Sequence, residues 1–184
     1  MRDEILIREE TPADVSDISE VREAGFSTLA ISNHTEQFII SALRAANALT
    51  ISLVAKVEGR VMGHIAFSPV TLSDGTPDWY GLGPVSVVPE QQRQGIGGAL
   101  IEEGLSRLKA LNARGCCLVG HPGYYTRFGF RNAEGLVHEG VPRKSSSPCP
   151  STATSRREPS SSTKPSRLTG DKRLRGRHGR ISAL

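Results

Sequence analysis

Two hydrophobic periods alternate along the first 140 residues. EILIR (residues 4–8) reads as a short first strand. Thr11-Pro12 then supplies a helix N-cap and a first helical position, with Asp14 third. That helix is expected to run to about Gly25. A second is expected over Thr35–Ala48, with Phe38, Ile39, Ala42 and Ala46 on one face. Ile51–Val57 and Val61–Val70 read as strands, joined through Glu58-Gly59-Arg60 as a hairpin. The turn-rich Ser73–Asp78 leads to a strand over Tyr80–Val88. QQRQGIGGAL (residues 91–100) follows, then a helix to about Leu111 with Ile101, Leu105 and Leu108 inward. Cys116–Gly120 is a short apolar strand, broken by His121-Pro122-Gly123. Tyr124–Phe128 reads as a short helix closed by Gly129. The order β-α-α-β-β-β-α-β-α predicts an α/β (α+β) domain with a mixed sheet flanked by helices.

Charge divides the 184-residue chain at about residue 142. The first part carries 12 Lys+Arg and 17 Asp+Glu; residues 143–184 carry 11 and 2. The folded part is thus mildly acidic and the overall charge of +4 belongs to the tail. The tail, beginning RKSSSPCPSTATSRREP, is rich in Ser, Pro, Lys and Arg, and is expected to be disordered. Density of Lys and Arg alone would suit a phosphate backbone, but no aromatic residue follows Phe130 to stack on bases, so nucleic acid is not favoured. Cys116, Cys117 and Cys149 form no CxxC pair; no metal site is expected, and the adjacent pair reads as buried core. The charged start MRDEILIREE has no signal-peptide pattern, and no apolar run reaches about 18 residues, so a cytoplasmic protein is expected.

Three glycines in four positions, between an apolar run and a helix, suit an anion. Glycine lets backbone N–H groups converge, and a helix N-terminus favours negative charge. No lysine or hydroxyl follows as in a P-loop. Gly95-x-Gly97 begins a dinucleotide fingerprint, but Leu stands at position 100 and an antiparallel hairpin precedes the loop. The remaining pattern is Gln92-x-x-Gly95-x-Gly97 after Val87-Val88-Pro89. It resembles the acetyl-CoA signature of the GNAT (Gcn5-related) N-acetyltransferase superfamily. Tyr125-Thr126-Arg127-Phe128-Gly129-Phe130 resembles that family's Tyr-x-x-x-Gly-Phe segment. The pieces LVAKVEGRVMGHIAFSPV, LGPVSVVPEQQRQGIGGALI and GYYTRFGF are similar to the bacterial YhbS-like branch.

The resemblance implies a GNAT fold over residues 1–142 and acetyl-CoA as co-substrate. It implies pyrophosphate binding by Gln92, Arg93, Gln94, Gly95, Ile96, Gly97 and Gly98. It places the pantetheine arm along the backbone of Val85, Ser86 and Val87, where the fourth strand splays from the fifth. Transfer would be by direct attack of an amine on the thioester, with Tyr125 protonating the departing thiolate. Tyr124, one position away, is the alternative, and both rings could instead pack the cofactor. An alkylamine is mostly protonated at pH 7, so a base is needed. His34, Glu36, His64 and His121 are candidates, each of which could equally be structural. Trp79 and Tyr80 either line the acceptor pocket or pack the core. The expected partner is a small-molecule or peptide amine acceptor, with room for a homodimer and no membrane role. The competing class is an acetyl-CoA or CoA-binding module without catalysis.

Such a fold ends in two further strands, yet apolar side chains nearly vanish after Val141. A reading-frame shift near Arg143 would account for this. A TCN serine codon read one base earlier becomes NTC, which encodes only Phe, Leu, Ile or Val. The terminal strands are therefore expected to be lost, and the residues after about 143 to show little regular structure and few contacts.

Overall fold

The computed structural model describes residues 4–27, 36–120, 122–132, 136–138, 151–156 and 179–183. Strand β1 (Leu6–Glu9) leads through a 3₁₀ turn at Pro12–Asp14 into α1 (Val15–Ser27). The turn is set by Asp14, which accepts hydrogen bonds from the Thr11 backbone N–H and hydroxyl at 2.8 and 2.7 Å. Two further bonds from the Arg8 guanidinium, at 2.7 and 2.8 Å, tie it to β1. Helix α2 covers Glu36–Ala45. Its described buried stripe is Ile40 and Leu43 on Ala66, while Ala42 and Ala46 are exposed. The expected stripe was therefore one position out of phase at these alanines. Leucine and isoleucine bury more apolar area than alanine, and they decide which face turns inward.

Strands β2 (Ile51–Val57) and β3 (Arg60–Leu72) form the hairpin, turning through Glu58 and Gly59, both at positive φ (49° and 79°). That is the two-residue geometry matching strand twist, and glycine adopts it at no steric cost. Strand β4 (Trp79–Val87) pairs antiparallel with β3, and α3 (Ile96–Ala110) crosses over to β5 (Gly115–Gly120), parallel to β4. α4 (Pro122–Tyr125) continues as a 3₁₀ turn over Thr126–Phe128.

The sheet separates two packing layers. Along β2 and β3, Leu53, Ala55, Val57, Ile65 and Phe67 share a cluster with Ile96, Leu100, Ile101 and Leu108 of α3. The intervening Val54 packs with Ile18 and Val21 of α1, and Ala66 with α2. Side chains two apart share a face, so α3 lies on one side and α1 and α2 on the other. Cys116 and Cys117 are buried free thiols, as the apolar run suggested.

Among the described residues, four short strands complete the sheet: β6 (Arg131–Asn132), β7 (Leu136–His138), β8 (Ser151–Arg156) and β9 (Gly179–Ala183). The main path runs β1-β2-β3-β4-β5-β8-β6, and β9 joins β3 to β7. This corrects the expectation of a tail with few contacts. β8 pairs with β5 from Gly115↔Arg156 to Gly120↔Ser151, so β5 has a partner along its whole length. Strand pairing is made by backbone groups, and the Ser/Thr-rich STATSR can supply those without apolar side chains.

Candidate active site

The site grows from a gap in the sheet. β4 and β5 pair only at Trp79↔Gly115, Tyr80↔Cys116 and Gly81↔Cys117. Just beyond, two steps along β3 (Ile65 to Phe67) span three along β4 (Val85 to Leu82), a bulge at Gly83-Pro84. A bulge bends its strand and ends regular pairing. From Leu82 to Val87, β4 is therefore held by β3 on one edge and has no ladder with β5 on the other. Val85 and Val87 pack on the α3 side, while Ser86 is buried on the opposite face.

At the end of β4 the chain turns through Pro89–Gln91 into α3. Gly95 is the N-cap at φ 95°, a left-handed conformation that an L side chain would strain. Ala99 N–H donates to the Gly95 carbonyl at 2.9 Å as the first intrahelical bond. The N–H groups of Ile96, Gly97 and Gly98 thus precede the helical ladder, and the helix dipole adds positive potential there. Ile96 itself is buried and anchors the turn. Arg93 is exposed with φ 61°. Two of the expected phosphate ligands make local side-chain bonds: Gln92 Nε2 donates to the Val87 carbonyl and Gln94 Nε2 to the Glu90 carbonyl, each at 3.0 Å. They brace the loop.

The aromatic segment after β5 closes over these glycines. The Tyr124 hydroxyl lies 3.2 Å from where a Cβ on Gly97 would stand, and Phe128 and the Arg127 guanidinium lie 3.6 and 3.8 Å from the same point on Gly98. Arg127 also covers the Tyr124 ring at 4.2 Å and the Phe128 ring at 4.7 Å. Neither Arg127 nor Phe128 stood out in the sequence. The aromatic–cation spacing was the available signal, and only the fold brings it to the loop. Tyr125 points elsewhere. It packs edge-on to Phe130 at 6.0 Å and against Gly120, where a Cβ would overlap its ring. Burial, with a smaller contribution from Tyr124, pushes its hydroxyl up to about 12.

On the far face of the sheet lies a polar cluster. His64 is fully buried. Its Nε2 lies 2.9 Å from Ser52 Oγ and 3.6 Å from Glu10 Oε2. Ser52 Oγ donates to Glu10 Oε2 at 2.5 Å, and Arg44 of α2 grips Glu10 through two bonds of 2.9 Å. Burial opposes ionisation of Glu10, but bonds from His64, Arg44 and Ser52 outweigh it and hold the carboxyl well below the usual range. Burial also lowers His64, and the pull of Glu10 only partly offsets it. Of the other residues singled out, Trp79 is core, packed with Leu72 and Cys117, and Tyr80 packs on the main cluster. His34, His121 and the side chain of Glu36 lie outside the described residues. Among the described residues, no His/Cys/Asp/Glu group could hold a metal ion, and no helix is long and apolar enough to cross a membrane.

Residues 49–132 match a family model described as an acetyltransferase (GNAT) domain. The chain is 35% identical to the uncharacterized N-acetyltransferase YhbS of Escherichia coli over 70% of its length and 75% of that protein's. It is 34% identical to the uncharacterized N-acetyltransferase YjhQ of the same organism, over 66% and 68%. Among solved structures, a GNAT family acetyltransferase from Brucella melitensis in complex with acetyl-CoA is 46% identical. It superposes with a TM-score of 0.72 over 85% of this chain and 90% of that one. Escherichia coli YhbS in complex with CoA is 29% identical at a TM-score of 0.72, over 84% and 82%. With the split sheet and the glycine-headed helix in place, these relationships establish that the chain belongs to the GNAT family of N-acetyltransferases.

Proposed function

We propose that this chain moves an acetyl group from acetyl-CoA to a primary amine of a small molecule or peptide, by direct attack in a ternary complex. The observation that carries the reading is the free edge of β4 over Leu82–Val87, opening beside the glycine-headed start of α3. The relative from Brucella melitensis, solved with acetyl-CoA, supports the same ligand here. In this reading the backbone of Val85, Ser86 and Val87 pairs with the pantetheine amides. The N–H groups of Gly95, Ile96, Gly97 and Gly98 receive the pyrophosphate, with Arg93 and Arg127 adding charge. Gln92 and Gln94 hold the loop's shape.

The amine lone pair attacks the thioester carbonyl. The oxyanion that forms is stabilised by backbone donors along the gap, and the coenzyme leaves as a thiolate. Tyr125 donates a proton to that sulfur; its high pKa keeps it protonated at neutral pH and thus able to act as an acid.

Thermal denaturation with acetyl-CoA, NAD and ATP tests the cofactor. A rise with acetyl-CoA far above the other two is expected, since only the folded state gains binding free energy. Equal rises would overturn the assignment. A panel of polyamines, amino acid derivatives, aminoglycosides and peptides with free N-termini, followed by release of free CoA, then identifies the acceptor.

A further inference from the structure

β1 stands at one end of the strand path, and among the described residues β2 is the strand that pairs with it. Its side chains alternate. Ile5 and Ile7 pack on the α3 cluster, so Glu4, Leu6 and Arg8 share the other face. Glu4 is exposed, and Leu6 is 57% exposed, more than any other large hydrophobic among the described residues. An open strand edge with an apolar side chain at its centre is a template for another strand.

Pairing within the chain fixes which backbone groups that edge offers. Glu10 N–H donates to the Ser52 carbonyl at 3.0 Å, and the register steps evenly from Arg8↔Val54 to Leu6↔Lys56. Backbone groups of the even-numbered residues therefore turn toward β2, and those of Ile5, Ile7 and Glu9 turn outward. The Glu9 carbonyl is already taken by the Arg8 guanidinium at 2.8 Å, which closes that end of the edge. The N–H and C=O groups of Ile5 and Ile7 remain for a partner strand.

We infer that this edge pairs with the same edge of a second copy of the chain, antiparallel about a two-fold axis at Leu6. Outward groups must face outward groups, so the axis falls on a residue and not between two. With the axis at Leu6, Ile5 of each copy faces Ile7 of the other, and each such pair exchanges two hydrogen bonds. On the open face Leu6 meets Leu6, and Glu4 meets Arg8 at both ends. Arg8 has room for this second carboxylate: three of its five N–H donors are used by Glu9 and Asp14, and its side chain is 32% exposed. Other axes lose this match. At Ile5 or Ile7, Leu6 would face a charged residue, Glu4 or Arg8. At Arg8, two arginines would meet, and like charges directly opposite are destabilising. β4 lies three strands in from β1, so the gap of each copy stays open.

So short a pairing belongs to the small class of interfaces, and monomer and dimer should exchange with concentration. Sedimentation velocity of the full chain over a concentration series is expected to show that exchange. Leu6→Asp puts two like charges on the axis and should raise the dissociation constant about 10²-fold or more. Its melting temperature should stay close to wild type where both are monomeric, because Leu6 is largely exposed. Cysteine cross-linking reads the register and does not depend on that variant. Leu6 faces Leu6 as a non-hydrogen-bonded pair, with Cα atoms about 4.5 Å apart and within disulfide reach. Under mild oxidation Leu6→Cys should form a covalent dimer faster than wild type, whose Cys116 and Cys117 are buried. Glu4→Cys should not, since the two copies of position 4 would lie roughly 13 Å apart. A wild-type chain that stays monomeric up to its solubility limit would overturn the proposal. So would a dimer indifferent to Leu6→Asp, or Glu4→Cys cross-linking as fast as Leu6→Cys.

Discussion

The Tyr124 hydroxyl stands 3.2 Å from the place a Cβ on Gly97 would occupy, and Val87 Cγ2 stands 3.7 Å from it. Gly97 is thus the floor of a slot between the end of β4 and the aromatic segment after β5. Gly97→Glu fills that slot and adds negative charge where the pyrophosphate is proposed to lie. The variant should fold, since the position opens toward the cleft, but should lose stabilisation by acetyl-CoA. A melting curve with and without the ligand checks this; retained stabilisation would move the phosphate site elsewhere.

The two adjacent tyrosines have different surroundings and should fail differently. Tyr125→Phe is expected to lower kcat roughly 10²-fold with little change in KM for acetyl-CoA, because it removes a proton donor and leaves the packing on Phe130. Tyr124→Phe should do less to kcat and more to KM, because its hydroxyl lies at the glycine loop. If steady-state kinetics rank the two the other way, Tyr124 is the acid.

Acid should destabilise the domain in two stages. Arg8 holds the Asp14 carboxyl, and the cluster around it holds Glu10, well below the usual range. Their stabilisation is complete above the unfolded carboxylate values near 4 and is lost progressively as pH falls below these toward the depressed folded-state values. His64 is depressed below its usual 6.5 by burial, so the unfolded chain binds a proton first and stability begins to fall below about pH 6.5. Calorimetric melting temperatures should decline across both ranges. Asp14→Asn should be less stable than wild type at pH 7, and the difference should shrink steadily as pH falls below about 4, without closing until well below the usual carboxylate range. A constant difference across pH would show that the Arg8 pair contributes nothing through its charge.

Gly104 faces Phe67 so closely that a Cβ there would overlap the ring. Gly104→Ala gains helix propensity but overpacks the α3 layer, and the overpacking should dominate at about 1–3 kcal/mol of destabilisation. Urea titration measures it, and a stabilised variant would show that the ring moves aside.

The composition of the tail makes a prediction about the gene. If a frame shift near Arg143 produced it, Ser145, Ser146 and Ser147 are encoded by TCN codons and an apolar frame runs alongside. AGY serine codons there, or no such frame, would end the idea. The Ser/Thr-rich β8 then marks where a frame-restored chain would place apolar residues, and that chain should melt higher.

Much of the fold was legible because it rests on local rules. The hairpin at Glu58-Gly59, the Thr11–Asp14 turn, the strand over Ile51–Val57 and the glycine start of α3 each depend on a few neighbouring residues. The Gln92-x-x-Gly95-x-Gly97 and Tyr125-x-x-x-Gly129-Phe130 motifs also lie in single stretches, so the family could be read from them. One strand pairing could not. β8 beside β5 joins segments about 35 residues apart through backbone groups, which leave no mark on side-chain pattern. The site's finer roles were hidden for the same reason. The bond from the Gln92 side chain to the Val87 carbonyl has no signal in the sequence, and Arg127 comes to Gly98 only because β5 and α4 carry it there. Glu10, Ser52 and His64 are separated by 42 and 12 residues and share no motif. Only antiparallel pairing of β1, β2 and β3 sets them on one face, within hydrogen-bond reach.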